Sequence, residues 1–259
     1  MVWNPEQYDR YQRQRRRPAE DLLAAALDAV GKRTPRRIVD LGCGGGFLAV
    51  RLAERWPSAE VTGIDSSAAM LGAAQTTAAR VTWREADIGG WQPEAPVDLI
   101  ISNAALHWIG DHESLFPRLL AALAPEGVLA VQMPRNFAAP SHTLLAETIA
   151  GGPWAERLAD RLGPPPVHAP ASYVDWLAPR AADLDLWETE YLHRLEGDDP
   201  VLEWTKGSAL VPVLERLTAD EAAAFQQTYG ERLRVAYPRR ADGTTLFAFR
   251  RLFIVAQAV

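Results

Sequence analysis

The stretch Arg36–Leu48, RRIVDLGCGGGFL, places four glycines and the only cysteine of the chain directly after an apolar run. This order is typical of a tight turn from a β-strand into an α-helix, where a ligand can approach the backbone closely. A phosphate-binding loop of the G-x-x-x-x-G-K-[ST] type is excluded, because no Lys-Ser or Lys-Thr pair follows the glycines. The dinucleotide pattern G-x-G-x-x-G would require glycine at Phe47, whose ring would obstruct close packing of helix on strand. The stretch therefore predicts a ligand-binding turn of another kind.

Similar apolar runs recur through the first half of the chain, and several lack polar alternation, as expected of strands covered on both faces. They are Arg37–Gly42, Glu60–Asp65, Val81–Asp87, Val97–Asn103 and Gly127–Pro134. Helical patterns separate them: apolar residues recur at a spacing of four from Leu48, and Ser66 or Ser67 is placed to cap another helix. This alternation predicts a doubly wound, mostly parallel α/β sheet.

The second half of the chain departs from this rhythm. Many prolines and short helical patterns occupy residues 135–180, and Thr218-Ala-Asp-Glu221 resembles a capping box that opens a helix. We expect one domain over residues 1–259. Its expected parts are an N-terminal helical segment 1–35, a cofactor-binding core 36–134, a helical cap and substrate region over the site from 135–180 and 197–236, and C-terminal strands 186–195 and 244–258.

Three acidic residues stand at the ends of the first three predicted strands: Asp40, Asp65 and Asp87. Ligands of open α/β sheets bind at the carboxyl ends of the strands, so these carboxylates are expected to face one ligand. Asp40, just before the glycines, would repel a pyrophosphate and favours a cationic group. Asp65 suits two adjacent ribose hydroxyls, and Asp87 suits an exocyclic amine such as that of adenine. The three together predict a ligand with an ammonium, a ribose and an adenine.

These residues resemble the motifs of class I S-adenosylmethionine-dependent methyltransferases. The matching segments are Asp40–Gly46, Gly63–Ser67, Ala86–Ile88 and Ser102–Trp108. The resemblance implies a Rossmann-like fold with a seven-stranded, mostly parallel sheet whose last strand is antiparallel, together with the helical cap. It also implies S-adenosylmethionine as the cofactor, S-adenosylhomocysteine as the product and no metal.

In that family the glycine loop holds the methionine part, the position of Asp65 holds the ribose, and the carbonyl of Asn103 takes the ammonium. Met70 would pack on the adenine, whose edge would meet Asp87 and the backbone of Ile88. The cofactor residues that the resemblance implies are Asp40, Gly42, Cys43, Gly44, Gly46, Asp65, Ser66, Met70, Asp87, Ile88, Asn103 and Ala104.

A closer resemblance, to the family of trans-aconitate methyltransferases, extends over nearly the whole chain. It rests on segments such as WNPEQY near the start, RWPSAEVTGIDSSAAM, LFPRLL, GVLAVQMP and the final RLFIVA. It implies that a carboxylate of a small polycarboxylic acid, with trans-aconitate favoured, becomes a methyl ester. The chain departs from the family pattern at Arg135, where aspartate is expected, and at Val211, where arginine is expected. Another small acid, or a carrier-bound acid of the biotin or natural-product type, is the alternative acceptor.

Methylation of a carboxylate needs no general base, because the acceptor is already ionised at neutral pH. Positioning and exclusion of water are then the main contributions of the protein. Arginine suits a carboxylate because its fork matches the two oxygens. The candidate acceptor-binding residues are Tyr8, Arg15, Arg17, His107, Tyr173 and Arg251. A positioning mechanism needs no catalytic residue, and His107, after the fourth strand, is the one candidate considered for such a role. Cys43 is not expected to act as a nucleophile.

The formal net charge of −6 argues against nucleic acid or an anionic membrane as partner. A single cysteine excludes an intramolecular disulfide, and the histidines show no metal-ligand spacing. The first residues have no apolar core of a secretory signal, so we expect a cytoplasmic protein, as a monomer or weak homodimer. A nicotinamide-dependent dehydrogenase and a non-catalytic cofactor-binding module remain the alternatives of other classes.

Overall fold

The protein is described here by a computed structural model that covers residues 12–75 and 80–259. A seven-stranded sheet dominates it, in the order β3-β2-β1-β4-β5-β7-β6. The strands are β1 Arg37–Leu41, β2 Glu60–Asp65, β3 Val81–Glu85, β4 Val97–Asn103, β5 Leu123–Pro134, β6 Ala181–Leu195 and β7 Thr245–Ala258. The first five pair in parallel, and β7 pairs with β5 in the antiparallel sense. The predicted mostly parallel sheet with an antiparallel last strand is confirmed.

Helices connect and follow the strands. They are α1 Gln12–Val30, α2 Phe47–Arg55, α3 Ala68–Gln75, α4 His112–Ala121, α5 Pro140–Ala150, α6 Pro170–Leu177, α7 Pro200–Lys206, α8 Val211–Leu214 and α9 Ala219–Ala236. The central strands β1, β4 and β5 are buried along most of their length, as the apolar runs predicted. Helix α2 buries Leu48, Ala49, Leu52 and Ala53, the stripe expected from the spacing of four.

The chain divides into two compact units. The first, called the sheet unit below, comprises Arg16–Pro134, Pro166–Thr189 and Arg251–Val259, and holds β1 to β5. The second, called the helical unit, contains Arg135–Pro165 and Glu190–Arg250. Strands β6 and β7 each run from one unit into the other.

The helical unit has an apolar core of its own. Trp154, Trp204, Phe225 and Phe247 are among its buried members. Its longest helix, α9, begins with the capping box that the sequence indicated: the Glu221 amide donates to Thr218 Oγ1 (3.3 Å) and the Thr218 amide donates to Glu221 Oε2 (2.9 Å). These two bonds satisfy amides that the helix itself leaves without partners.

Within the part of the chain that the structure describes, no helix is long and apolar enough to cross a membrane.

Candidate functional site

The glycine loop, residues 42–46, joins β1 to α2 at the carboxyl end of the sheet. The amides of Gly42 and Cys43 both donate to the carbonyl of Ile64 on β2, at 2.8 and 3.0 Å. The loop is thereby fixed against the neighbouring strand before any ligand binds. Its backbone enters the left-handed region at Gly42, Gly44 and Gly46, where φ is 73°, 52° and 83°.

The loop glycines face different surroundings. A Cβ on Gly42 would lie 2.1 Å from the Cβ of Ala105, and a Cβ on Gly46 would lie 2.4 Å from the ring of Trp83. These two positions need glycine because other parts of the sheet unit pack against them. Among the described residues, a Cβ on Gly44 would meet only the Met70 methyl at 3.5 Å, and one on Gly45 would meet nothing within 4 Å. The open side of the loop, where a ligand has room, is therefore at Gly44 and Gly45.

Asp65, the last residue of β2, ties its strand to the glycine loop. Its Oδ2 accepts the Gly44 amide at 2.9 Å, and its Oδ1 accepts the Ser67 amide at 2.9 Å. Each carboxylate oxygen keeps a second lone pair, so the group can still accept hydrogen bonds from two ligand hydroxyls. Of the two serines predicted to cap α3, Ser67 does so, with its Oγ accepting the Met70 amide at 3.3 Å. Ser66 is exposed beside it.

Asp87 and Ile88 form the turn after β3. Asp87 is exposed, and its Oδ1 accepts the Gly89 amide at 3.0 Å, while the Ile88 side chain is buried close to Gly42. The guanidinium of Arg118, on α4, holds this turn from the side. It donates to the carbonyls of Trp91, at 2.6 Å, and Gly89. Arg118 thus fixes the backbone that presents Asp87, a role that the sequence analysis did not assign.

Asp40 lies under the loop, and its side chain is buried. Its Oδ2 accepts the amide of Ala49, in the first turn of α2, at 3.1 Å. Burial, with a smaller contribution from the charge of Asp65, raises the pKa of Asp40 to about 7, although the hydrogen bond from the Ala49 amide opposes the shift. Near neutral pH this carboxyl is therefore poised between its acid and its anion, and a cation bound nearby would favour the anion.

Cys43 is buried in the same turn. Burial raises the pKa of its thiol above the ordinary value, and the charges of Asp40 and Asp65 raise it further. The thiol therefore stays protonated at neutral pH, as expected of a small packing residue rather than a nucleophile.

At the carboxyl end of β4, Asn103 and Ala104 complete this edge of the sheet. Ala104 has a φ of 53°, a left-handed conformation held in part by its amide, which donates to the Gln132 carbonyl at 2.9 Å. The Oδ1 atom of Asn103 is buried and accepts no hydrogen bond from the described residues. An unsatisfied buried acceptor costs free energy unless a donor fills it, so the atom is suited to a donor supplied by a ligand.

The candidate acceptor residues occupy different environments. Arg251, on β7, is buried, and its Nη1 donates to Oε1 of Gln132 at 3.3 Å. Arg17 is exposed on α1, with its Nε donating to Asp21 at 2.9 Å. His107 is half-buried in a 3₁₀ turn, Leu106–Trp108, with its ring 4.7 Å from that of Trp108. Tyr8 and the side chain of Arg15 lie outside the described residues.

The two departures from the family pattern both fall in the helical unit. Arg135 follows β5, and its amide donates to the Arg250 carbonyl at 2.9 Å. Val211 is half-buried at the start of α8.

Tyr173, on α6, is fully buried, and its hydroxyl has partners on two sides. It lies 2.6 Å from Nδ1 of His112 and accepts the His168 amide at 3.2 Å. Nε2 of His112 lies 2.9 Å from the Leu106 carbonyl, which can only accept, so Nε2 carries the proton. Burial lowers the pKa of His112, so the ring is neutral and its Nδ1 accepts from the Tyr173 hydroxyl. This chain of hydrogen bonds anchors Leu106, directly before His107.

The role predicted for Tyr173 in acceptor binding stays a prediction, and these contacts give its hydroxyl another use. We expect Tyr173→Phe to lower the free energy of unfolding by about 1–3 kcal/mol, because it leaves Nδ1 of buried His112 without a donor. Urea unfolding measures this change. Tyr191→Phe, at a half-buried position on β6, is the control for loss of a tyrosine hydroxyl. A raised acceptor KM with unchanged stability would instead support direct contact with the acceptor.

In the described ranges, no group of three or more His, Cys, Asp or Glu side chains is arranged to hold a metal ion.

The amino-acid sequence is similar to those of known proteins. A family profile described as a methyltransferase domain matches residues 38–127. A relative from Azoarcus sp. (strain BH72) is 47% identical over 256 residues, covering 98% of each chain. One from Streptomyces avermitilis is 46% identical and covers 98% of this chain and 96% of its own. One from Mycobacterium tuberculosis is 42% identical, and the match covers 99% of this chain and 97% of the relative. All three are named trans-aconitate 2-methyltransferase.

Solved structures share the fold at much lower identity. Haemonchus contortus phosphoethanolamine N-methyltransferase 2, in complex with S-adenosyl-L-methionine, is 18% identical with a TM-score of 0.55; the match covers 93% of this chain and 53% of that one. The plantazolicin methyltransferase BpumL, in complex with S-adenosylhomocysteine (SAH), is 16% identical with a TM-score of 0.54. The match covers 98% of this chain and 90% of that one.

Proposed function

The chain belongs to the trans-aconitate 2-methyltransferase family, and on that premise we propose that it methylates one carboxylate of trans-aconitate, with S-adenosylmethionine as the methyl donor. The observation that carries the proposal is the pairing of Asp65 with the open side of the glycine loop. A carboxylate with free lone pairs stands next to backbone that leaves room for a ligand. Membership of the family excludes the dehydrogenase considered from the sequence.

The residues at the carboxyl end of the sheet fit S-adenosylmethionine. The room beside Gly44 and Gly45 suits its aminoacyl end, and Asp65 is placed to accept its two ribose hydroxyls. Oδ2 of Asp87 would take the adenine amine, and the unsatisfied Oδ1 of Asn103 would add an acceptor for the ammonium. Nearly every group offered is an acceptor or an anion, which suits a ligand that carries an ammonium and a sulfonium.

When bound, S-adenosylmethionine supplies an electrophilic methyl group, whose transfer to a carboxylate oxygen breaks the carbon–sulfur bond and leaves S-adenosylhomocysteine and a methyl ester. No proton has to move, so the chain needs to hold the acceptor and exclude water rather than provide a base. Arg251 supports this, since a buried guanidinium can bind a carboxylate with two parallel hydrogen bonds. Arg17, Arg15, Tyr8 and His107 remain proposed contributors to acceptor binding.

The test is a methyl-transfer assay with trans-aconitate and a panel of other di- and tricarboxylic acids, with the product identified by mass and regiochemistry. A methyl ester of trans-aconitate as the best product supports the proposal. If another acid is esterified with a higher kcat/KM than trans-aconitate, that acid is the acceptor instead. A product methylated on carbon or nitrogen would exclude carboxyl methylation.

Arg251→Met tests the arginine of the acceptor site. We expect kcat/KM for the acceptor to fall by about 30- to 1,000-fold, because loss of a buried charged partner costs about 2–4 kcal/mol. The affinity for S-adenosylhomocysteine should change little. Arg250→Met is the matched control, since Arg250 is the neighbouring residue on β7 but is exposed, 3.7 Å from Glu190. Equal kinetics for the two variants would remove Arg251 from the acceptor site.

A further inference from the structure

Three polar side chains form a row across the carboxyl end of β4 and the adjacent strands β5 and β7. Asn103 and Gln132 are partners in the parallel register of β4 and β5. Arg251 pairs with Pro134, two residues beyond Gln132 on β5. Side chains two residues apart on a strand share a face, as do directly paired residues. Asn103, Gln132 and Arg251 therefore lie on one face of the sheet.

Gln132 is the centre of this row and stands among apolar neighbours. It is fully buried, as are Val131 and Met133 on either side of it. Burying a primary amide costs free energy unless its groups are hydrogen-bonded, so packing alone does not account for glutamine at this position.

The orientation of the Gln132 amide follows from its contact with Arg251. A guanidinium carries only donors, so the amide must present Oε1 to Arg251 Nη1, 3.3 Å away. Its Nε2 therefore points elsewhere. Nε2 is buried and donates to no hydrogen-bond acceptor among the described residues. The row thus holds an arginine and, beside it, an amide donor for which residues 12–75 and 80–259 supply no acceptor.

We propose that Gln132 is a specificity-determining residue that binds the acceptor: its Nε2 donates to a carboxylate oxygen of the acid, while its Oε1 holds the Arg251 guanidinium beside that carboxylate. This rests on the proposed function, since it requires an anionic acceptor at Arg251. A carboxylate offers several lone-pair sites, so it can accept from the amide and from the guanidinium together. The same pair of donors disfavours acceptors that present an amine or another donor at this point.

Gln132→Glu separates binding of the acceptor from support of Arg251. The new carboxylate still accepts a hydrogen bond from Arg251. If Gln132 only supports Arg251, the variant should therefore bind the acceptor as well as the wild type or better. It removes the Nε2 donor and adds a charge that repels the acid. We expect the affinity of trans-aconitate for the enzyme–S-adenosylhomocysteine complex to fall by about 30-fold or more. The acceptor KM should rise accordingly, with S-adenosylhomocysteine affinity unchanged. Calorimetry measures both affinities.

Gln257→Glu is the matched control. Gln257 lies on β7, where it pairs with Val128, four residues before Gln132 on β5, so it carries the same change of charge away from the row. If Gln132→Glu and Gln257→Glu bind trans-aconitate equally well while the wild type forms the ester, the role of Gln132 is refuted and the proposed function stands. If the wild type methylates no carboxylic acid of the panel, the proposed function fails and this inference fails with it.

Gln132→Met supplies a second variant of similar length, with neither donor nor acceptor. We expect it to weaken acceptor binding too, and thermal unfolding with and without S-adenosylhomocysteine establishes that it is folded. Acceptor binding at wild-type strength in a folded Gln132→Met protein would overturn the proposal.

Discussion

Asp65→Asn is expected to weaken binding of S-adenosylmethionine by about 100- to 1,000-fold, because the loss of charge and of one carboxylate oxygen at the ribose hydroxyls costs about 3–4 kcal/mol in all. In the wild type, each oxygen of Asp65 accepts one backbone amide, from Gly44 and from Ser67. An asparagine can accept only one of these and turns its own amine towards the other. The substitution therefore removes acceptors for the ribose and also releases one anchor of the glycine loop.

The matched control is Asp98→Asn. Asp98 lies at the amino end of β4, and its Oδ2 accepts the amides of Arg36 and Arg37, both at 2.8 Å. It resembles Asp65 as a carboxylate that accepts two backbone amides, but it lies at the opposite end of the sheet. Both substitutions are expected to lower stability, and only Asp65→Asn should change the affinity for the cofactor, measured by calorimetry. Similar affinities for the two variants, within about five-fold, would falsify the assignment of Asp65.

Asp40→Asn is expected to make the protein more stable at pH 8, by as much as about 4 kcal/mol, and to weaken cofactor binding. The cause is the buried carboxyl, whose pKa is raised to about 7. In the unfolded chain the same group has a pKa of about 3.9. Between these two values the folded protein binds a proton that the unfolded chain has lost, so the free energy of unfolding falls as pH rises, by up to about 1.4 kcal/mol per pH unit. Asparagine does not ionise and so avoids this loss.

Urea unfolding of the wild type and Asp40→Asn at pH 4.5, 6 and 8 measures the effect. The difference in stability should be small at pH 4.5 and grow until about pH 7. Cofactor affinity should rise with pH through about 7 in the wild type, because the anion of Asp40 favours a cationic ligand, and should lose this dependence in Asp40→Asn. A difference in stability that does not vary with pH would show that Asp40 is ionised in the folded protein throughout.

The motifs allowed both the class I methyltransferase fold and the trans-aconitate methyltransferase family to be recognised, and both are confirmed. Strands β2 and β4 begin and end at the predicted residues, because in both segments the apolar run coincides with the whole strand. Strand β5 is longer than predicted, beginning at Leu123 rather than Gly127. The extra residues belong to the strand because Leu123 pairs with Val97 across a register shift, and Glu126 within them takes a φ of 60°.

The sequence could not divide the glycines by role. All of Gly42, Gly44 and Gly46 were predicted to bind the cofactor, and this stays a prediction. The structure adds that Gly42 and Gly46 are required by Ala105 and Trp83, residues far along the chain whose proximity no local pattern reveals. Gln132 was missed for a similar reason. A lone glutamine inside an apolar strand is the only signal in the sequence, and its meaning depends on Arg251, 119 positions further on.

The place of β7 in the sheet has a consequence for folding in the cell. It lies between β5 and β6, although β6 precedes it in the chain. During synthesis, the outer edge of β5 therefore stays without its strand partner until residues 245–258 have emerged, and β6 has no neighbour to join. An apolar strand with a bare edge is a template for pairing with other chains. The newly made protein thus passes through an interval of heightened aggregation risk, which ends only when β7 inserts and brings Arg251 to its place.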